Sequence, residues 1–129
     1  MTITEVSEKF GLTADTLRYY ERIGLLPPVT RTPGGARNFM EEECNWVSFI
    51  KCMRNAGLSI EALVEYVSLF RQGEETIPAR KLLLIEQRKQ LEKKLTELQS
   101  MMDYLDKKIE HYDECIVAAE SKLKKFDDE

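Results

Sequence analysis

The chain has 129 residues, 43% hydrophobic and 33% charged, with a formal net charge of −4 at pH 7. That length holds one modest domain and one extended element, and no run approaches the roughly eighteen apolar residues of a membrane span. The acidic total argues against a uniformly basic nucleic-acid binder, but residues 16–37 carry Arg18, Arg22, Arg31 and Arg37 against Glu21 alone; for docking on DNA the local field matters more than the sum.

Thr2 and Glu5 stand in the register of a capping box and predict a first helix, with Ile3, Val6 and Phe10 on its apolar face and Gly11 as its stop. Leu12-Thr13 makes a turn, and Thr13 is a good N-cap for a second helix of about ten residues. Leu17 and Tyr20 are expected inward, and Thr16, Arg18, Tyr19 and Arg22 outward. Two helices joined by a short Gly-containing turn form a helix-turn-helix.

Gly24 ends the second helix, and Pro27-Pro28 forbids its continuation. Residues 29–31 and 37–39 are short enough to be the arms of a hairpin, with Thr32-Pro33-Gly34-Gly35 as its turn. Such a ribbon is marginal alone and must lean on the helices. A recognition helix followed by a basic wing suits a major groove and its flanking phosphates.

Glu41, Glu42 and Glu43 suit the positive end of a third helix, whose core face is Trp46, Val47, Ile50 and Met53 and which Gly57 closes. Ser59 caps a fourth helix with apolar residues at 60, 63, 64, 67 and 70. The polar, Pro-terminated stretch after it reads as a linker. From Leu84 the apolar residues fall on alternating steps of three and four: Leu91, Leu95, Leu98, Met102, Leu105, Ile109 and on to Phe126. That is a coiled-coil seam on the order of 60 Å long, and it requires a partner helix, most simply a second copy. The expected organisation is a winged helix-turn-helix DNA-binding domain over 1–73, a linker over 74–80 and a dimerisation helix over 81–129.

The run T-x-x-T-L-R-Y-Y-E-x-x-G-L-L-P-P at 13–28, the wing arginine Arg37, the aromatic Phe39, the G-L-S-x-x-x-L at 57–63 and the terminal coil together resemble the MerR family of transcriptional regulators across essentially the whole chain. The resemblance implies a mostly α protein, a winged helix-turn-helix head and a long C-terminal helix that forms an antiparallel coiled-coil homodimer. It further implies binding to a pseudo-palindromic operator in double-stranded promoter DNA, whose overlong spacer is bent and untwisted so that RNA polymerase meets both promoter elements. Carried onto this chain, the DNA-binding residues are Thr13, Thr16, Arg18, Tyr19, Tyr20 and Arg37, with Tyr20 positioning the helix and Arg37 holding phosphate. Two positions depart from the pattern: Ala36 stands where members often carry a bulky residue, and Phe39 stands where Tyr is common.

Three cysteines at wide spacing, Cys44, Cys52 and Cys115, do not make a disulfide framework. With no secretory signal in MTITEVSEKF, a cytoplasmic location and free thiols are expected. The chain lacks the cysteines that metal-sensing members of the family carry at the start of the long helix and in a loop beyond it. It resembles instead the thiol-using branch that answers aldehyde and nitrosative stress, whose signature cysteine falls on Cys52. Read from the residues alone, Cys52 is also compatible with a small packed hydrophobe. Neighbouring Lys51 favours thiolate, whereas the helix C-terminus opposes it. His111 and Cys115 share a helix face, but two ligands fall short of a zinc site, so no metal and no cofactor are assigned. A metal-responsive regulator of the same fold and a coiled-coil protein-interaction adaptor are the alternatives. No nucleophile–base constellation or phosphate loop points to an enzyme.

Overall fold

The computed structural model describes residues 1–126. It comprises α1 (Ile3–Phe10), α2 (Ala14–Arg22), α3 (Glu41–Asn55), α4 (Ile60–Arg71), a 3-10 turn at Glu74–Thr76, α5 (Ile77–Glu110), a π turn at Asp113–Val117 and a short α6 (Ala118–Glu120). The chain divides into two compact units, one from Met1 to Arg88 and one from Lys89 onward.

In the first unit the caps form as their sequences dictate. The hydroxyls of Thr2, Thr13 and Ser59 accept from the backbone N–H three residues on, at Glu5, Thr16 and Ala62. Gly11 closes α1 in the left-handed conformation at φ 67°, which an L side chain adopts only with strain. Ser7 Oγ donates to Leu12 O across this turn. Lys51 of α3 donates its ammonium to Phe10 O, satisfying a carbonyl that α1 leaves open at its end.

The core of this unit gathers Val6, Leu17, Tyr20, Val47, Ile50, Leu63 and Val67 from the four helices. It also takes Leu25, Leu26, Val29 and Phe39 from the connections. Leu25 and Leu26 are buried because both of their amides bond to Tyr20 O, at 2.9 and 3.1 Å, which turns the chain under the end of α2. Each such fully buried aliphatic side chain contributes about 1.5–3 kcal/mol relative to exposure. On α4 the apolar stripe is only half used: Ala62, Leu63 and Val67 are buried, whereas Val64 and Phe70 are exposed. Phe70 packs edge-on against Trp46 at 5.4 Å between centroids and carries the Arg80 guanidinium over its face.

The expected hairpin is reduced to a single antiparallel bridge between Arg31 and Arg37. Thr32 N–H donates to Ala36 O at 2.8 Å and Asn38 N–H to Thr30 O at 2.7 Å. The turn closes through Gly35 at φ 89°. The ladder stops there because Pro27 and Pro28 supply no donors, and the next two amides bond to side chains instead of to a strand.

The stretch 74–80, expected as a linker, is ordered. Thr76 donates to Leu69 O at 2.7 Å, and Arg80 donates to both Thr76 Oγ1 and Gly73 O. Pro78 sits in the first turn of α5, where its missing N–H has no helical partner to lose. Leu84 of α5 still packs on the core of the first unit.

In the second unit the seam differs from the unbroken run to Phe126 that the spacing predicts. α-Helical bonding reaches Glu110 and then widens into the π turn, which rotates the face that follows it. After α6 the amides of Lys122 and Leu123 bond three residues back, and Ser121 Oγ caps Ala118 O at 2.6 Å. These contracted turns end the helix, so Leu123 and Phe126 lie beyond it. No residue of α5 is buried among the described residues. No helix among them is long and apolar enough to cross a membrane.

Candidate nucleic-acid interface

α2 presents its first and outer residues to solvent. Thr13 Oγ1 caps the helix and lies 2.8 Å from Thr16 Oγ1. Arg18 is held by Asp15 at 2.9 Å with nearly half of its side chain exposed. Tyr19 is 39% exposed, with the Arg22 guanidinium 5.2 Å from its ring centre. Arg18 and Tyr19 are thus exposed on α2, with Thr13 exposed at its N-cap and Thr16 half-buried beside it. Tyr20 is not: it is 6% exposed, and its place is in the core.

The wing is attached to this helix by a carboxylate. Glu21 accepts from Val29 N–H at 2.6 Å and from Arg37 Nε at 2.8 Å, and Arg31 Nη2 lies 3.6 Å away. Burial works against its charge, but the Val29 and Arg37 hydrogen bonds and the charges of Arg37 and Arg31 outweigh burial and hold its pKa below the ordinary 4.5. On the other side, Glu43 of α3 accepts from both Thr30 Oγ1 and Thr30 N–H, at 2.6 and 3.0 Å, and from Met40 N–H at 3.1 Å. The Thr30 hydroxyl is the largest influence and, with these amides, holds its pKa below 4.5 despite burial. Glu43 is therefore a buried structural carboxylate and not merely an acidic residue at a helix start.

Neither glutamate was singled out as functional from the sequence pattern, where Glu21 counted only as an opposing charge. A signal was present: after Pro27-Pro28 the amides of Val29 and Thr30 need acceptors, and the polar residues of α2 and α3 are the nearest source. Arg37, expected on phosphate, is mostly covered and engages Glu21 through Nε.

Cys52 is exposed on α3 and Cys115 is exposed in the π turn, whereas Cys44 is half-buried against the core. Lys51, the expected thiolate partner of Cys52, instead bonds Phe10 O. His111 Nδ1 pairs with Glu114 at 3.1 Å. No group of three potential metal ligands occurs among the described residues.

Residues 1–69 match the family described as MerR helix-turn-helix regulatory proteins, and residues 45–108 match the MerR DNA-binding family. The chain belongs to the MerR family. It is a DNA-binding transcriptional regulator of that family, and its relatives are regulators, not enzymes. The HTH-type transcriptional regulator AdhR of Bacillus subtilis is 58% identical over 91 residues, covering 70% of this chain and 65% of that relative. A MerR family regulator from Listeria monocytogenes has a crystal structure that superposes with a TM-score of 0.71 at 49% identity, covering 95% of this chain and 93% of that one. HiNmlR, a MerR family regulator lacking the sensor domain and crystallised bound to promoter DNA, superposes with a TM-score of 0.66 at 32% identity, covering 90% and 92%.

The two carboxylates give the MerR head an acid sensitivity of defined sign. Because both pKa values are lowered on folding, the stabilisation is fully present above pH 4.5 and is lost as pH falls through the folded-state values. Urea unfolding followed by the single tryptophan, Trp46, should show a midpoint that is steady near neutrality and declines once pH passes below 4.5. Glu43→Gln should lower the neutral-pH midpoint and flatten the decline. A midpoint independent of pH across the acid range would contradict this assignment.

Proposed function

We propose that this MerR-type regulator binds promoter DNA as a homodimer, reads it with α2 and the wing, and is switched through Cys52. The observation that carries the proposal is the joining of an exposed Arg18 and Tyr19 on α2, with Thr13 exposed at its N-cap, to an arginine-bearing wing through Glu21. In this reading Arg18 and Tyr19 meet base edges or backbone in the major groove, Tyr20 sets the helix against the core, and Arg37 meets flanking phosphate with the part of its guanidinium that Glu21 does not use. The likeness to HiNmlR, which was crystallised on promoter DNA, supports this placement.

The dimer is supported by the apolar stripe of α5. Leu91, Leu95, Leu98, Met102, Leu105 and Ile109 are each at least 40% exposed in the single chain, an apolar row that water does not favour. An antiparallel pairing of two such helices covers it and repeats the reading head with two-fold symmetry, matching a pseudo-palindromic operator. Transcription then changes through distortion of the promoter spacer, which lets RNA polymerase engage both promoter elements.

The signal in this reading is an electrophile such as an aldehyde. The Cys52 thiolate sulfur adds to the carbonyl carbon, the C–S bond forms as the C=O π bond breaks, and the oxygen takes a proton to give a hemithioacetal. Exposure of Cys52 gives such a reagent access. Its helix also holds α1 through Lys51 and the wing through Glu43, so a shift of α3 reaches both parts of the reading surface.

Three measurements test these elements. Replacing Leu98 and Leu105 by Lys should convert a sedimenting dimer to monomer and abolish specific DNA binding; an unchanged dimer would remove the coiled-coil assignment. For recognition, the probe is a duplex selected from random sequence with the wild-type protein. Arg18→Ala should weaken binding to it by about 1–3 kcal/mol if Arg18 makes a bidentate base contact, and wild-type affinity in that variant would misplace the reading surface. In a reporter strain, Cys52→Ser should stay bound and repressing but ignore an added aldehyde, while Cys44→Ser and Cys115→Ser still respond. Normal induction of Cys52→Ser would end the thiol switch and leave the regulator assignment standing.

A further inference from the structure

Glu21 is the one acidic residue among Arg18, Arg22, Arg31 and Arg37 in residues 16–37. Charge alone makes it a liability, since a carboxylate near phosphate repels it and its removal should tighten binding to any duplex. Its contacts give the opposite expectation. Glu21 lies at the C-terminal end of α2, and both arms of the wing converge on its carboxylate. The first arm reaches it through Val29 N–H at 2.6 Å and the returning arm through Arg37 Nε at 2.8 Å, with Arg31 Nη2 at 3.6 Å. The bridge between Arg31 and Arg37 is the only β pairing in the wing among the described residues, so the wing has little ladder of its own to fix its position.

We propose that Glu21 is a positioning residue for DNA recognition, a carboxylate clamp that sets the distance between the α2 reading face and the wing arginines. Glu43 grips the neighbouring amide, Thr30, from α3, but it touches only the first arm and the start of α3. The arms bond each other through Thr32–Ala36 and Asn38–Thr30, and Glu21 joins both of them to α2. By pairing with Arg37 Nε it also fixes the guanidinium and leaves its terminal nitrogens outside that hydrogen bond. The clamp thus converts a negative charge inside a DNA surface into a source of affinity. The inference rests on the reading that α2 and the wing together form that surface.

The test compares Glu21→Gln, Arg37→Lys and the double variant by fluorescence anisotropy, against the duplex selected from random sequence and against an unselected duplex, over a range of salt. Glu21→Gln keeps the shape and an acceptor for Val29 N–H but loses the ion pair. It should bind the selected duplex roughly tenfold or more weakly, the scale of one lost charge-assisted hydrogen bond. The slope of log affinity against log salt should fall by about one to two units as the wing arginines lose their phosphates. Arg37→Lys retains the positive charge but not the planar Nε–H geometry, so it should share most of the loss. The double variant should be little worse than either single one, because the two residues act through one contact.

Glu21→Gln that is folded by circular dichroism and binds as tightly as wild type, or more tightly, overturns the clamp. Should Glu21→Gln fail to fold, Arg37→Lys decides: wild-type affinity and salt slope in that variant overturn the proposal, and loss of both supports it. The underlying reading is tested separately by Arg18→Ala. If Arg18→Ala binds normally, the surface itself is misplaced and the clamp falls with it. If Arg18→Ala is weakened while Glu21→Gln is not, only the clamp is lost.

Discussion

Two consecutive amides, those of Val29 and Thr30, leave the Pro27-Pro28 turn with no strand to bond, and each is met by a glutamate. A buried or half-buried N–H without an acceptor costs about 1–3 kcal/mol, so the wing can hold its place only if these acceptors are supplied. Glu21 supplies one from α2 and Glu43 the other from α3. The first arm of the wing is therefore gripped between α2 and α3. That constraint explains how a loop with one bridging residue pair presents arginines at a defined distance from α2. It also explains why the positive surface contains a carboxylate at all.

The helical part of the head was legible in the sequence because its signals are local. Thr2, Thr13 and Ser59 cap helices with their own hydroxyls, and Gly11 needs only its freedom from a Cβ. Leu17 and Tyr20 were readable as inward-facing from helical period alone. The connections were less legible, because their roles depend on distant partners. Leu25 and Leu26 fall in no periodic pattern, yet they are core because Tyr20 O accepts from both of their amides. Glu43 looked like one of three acidic residues at a helix start; its burial follows from the packing of Thr30, thirteen positions earlier. At the far end, period alone cannot register a π turn, which changes hydrogen bonding without changing the apolar spacing, so the stripe past Tyr112 was read as continuous.

The distribution of charge follows the same division of labour. The protein is acidic overall, at −4, but both acids of α2 and the buried Glu43 of α3 are engaged. Asp15 is spent on Arg18, Glu21 on Arg37 and Arg31, and Glu43 on Thr30. Engagement offsets each of these charges with a partner within the chain and holds the arginines in defined positions. Ordering side chains in advance lowers the entropy cost of binding. A net charge computed over the chain therefore says little about this face, whereas the pairing of each charge says a good deal.

α3 is the element through which these parts are joined. Its first turn carries Glu43, which holds the wing at Thr30. Its last turns carry Lys51, which caps α1 at Phe10 O, and Arg54, which donates to Leu58 O at 2.6 Å and closes the turn into α4. Between them Trp46 packs against Phe70 of α4. The helix-turn-helix and the wing are thus both bonded to one fifteen-residue helix. A small shift of α3 cannot leave their spacing unchanged, because tightly packed interfaces move between discrete arrangements instead of deforming smoothly. A displacement of α3 therefore reaches α1 through Lys51 and the wing through Glu43.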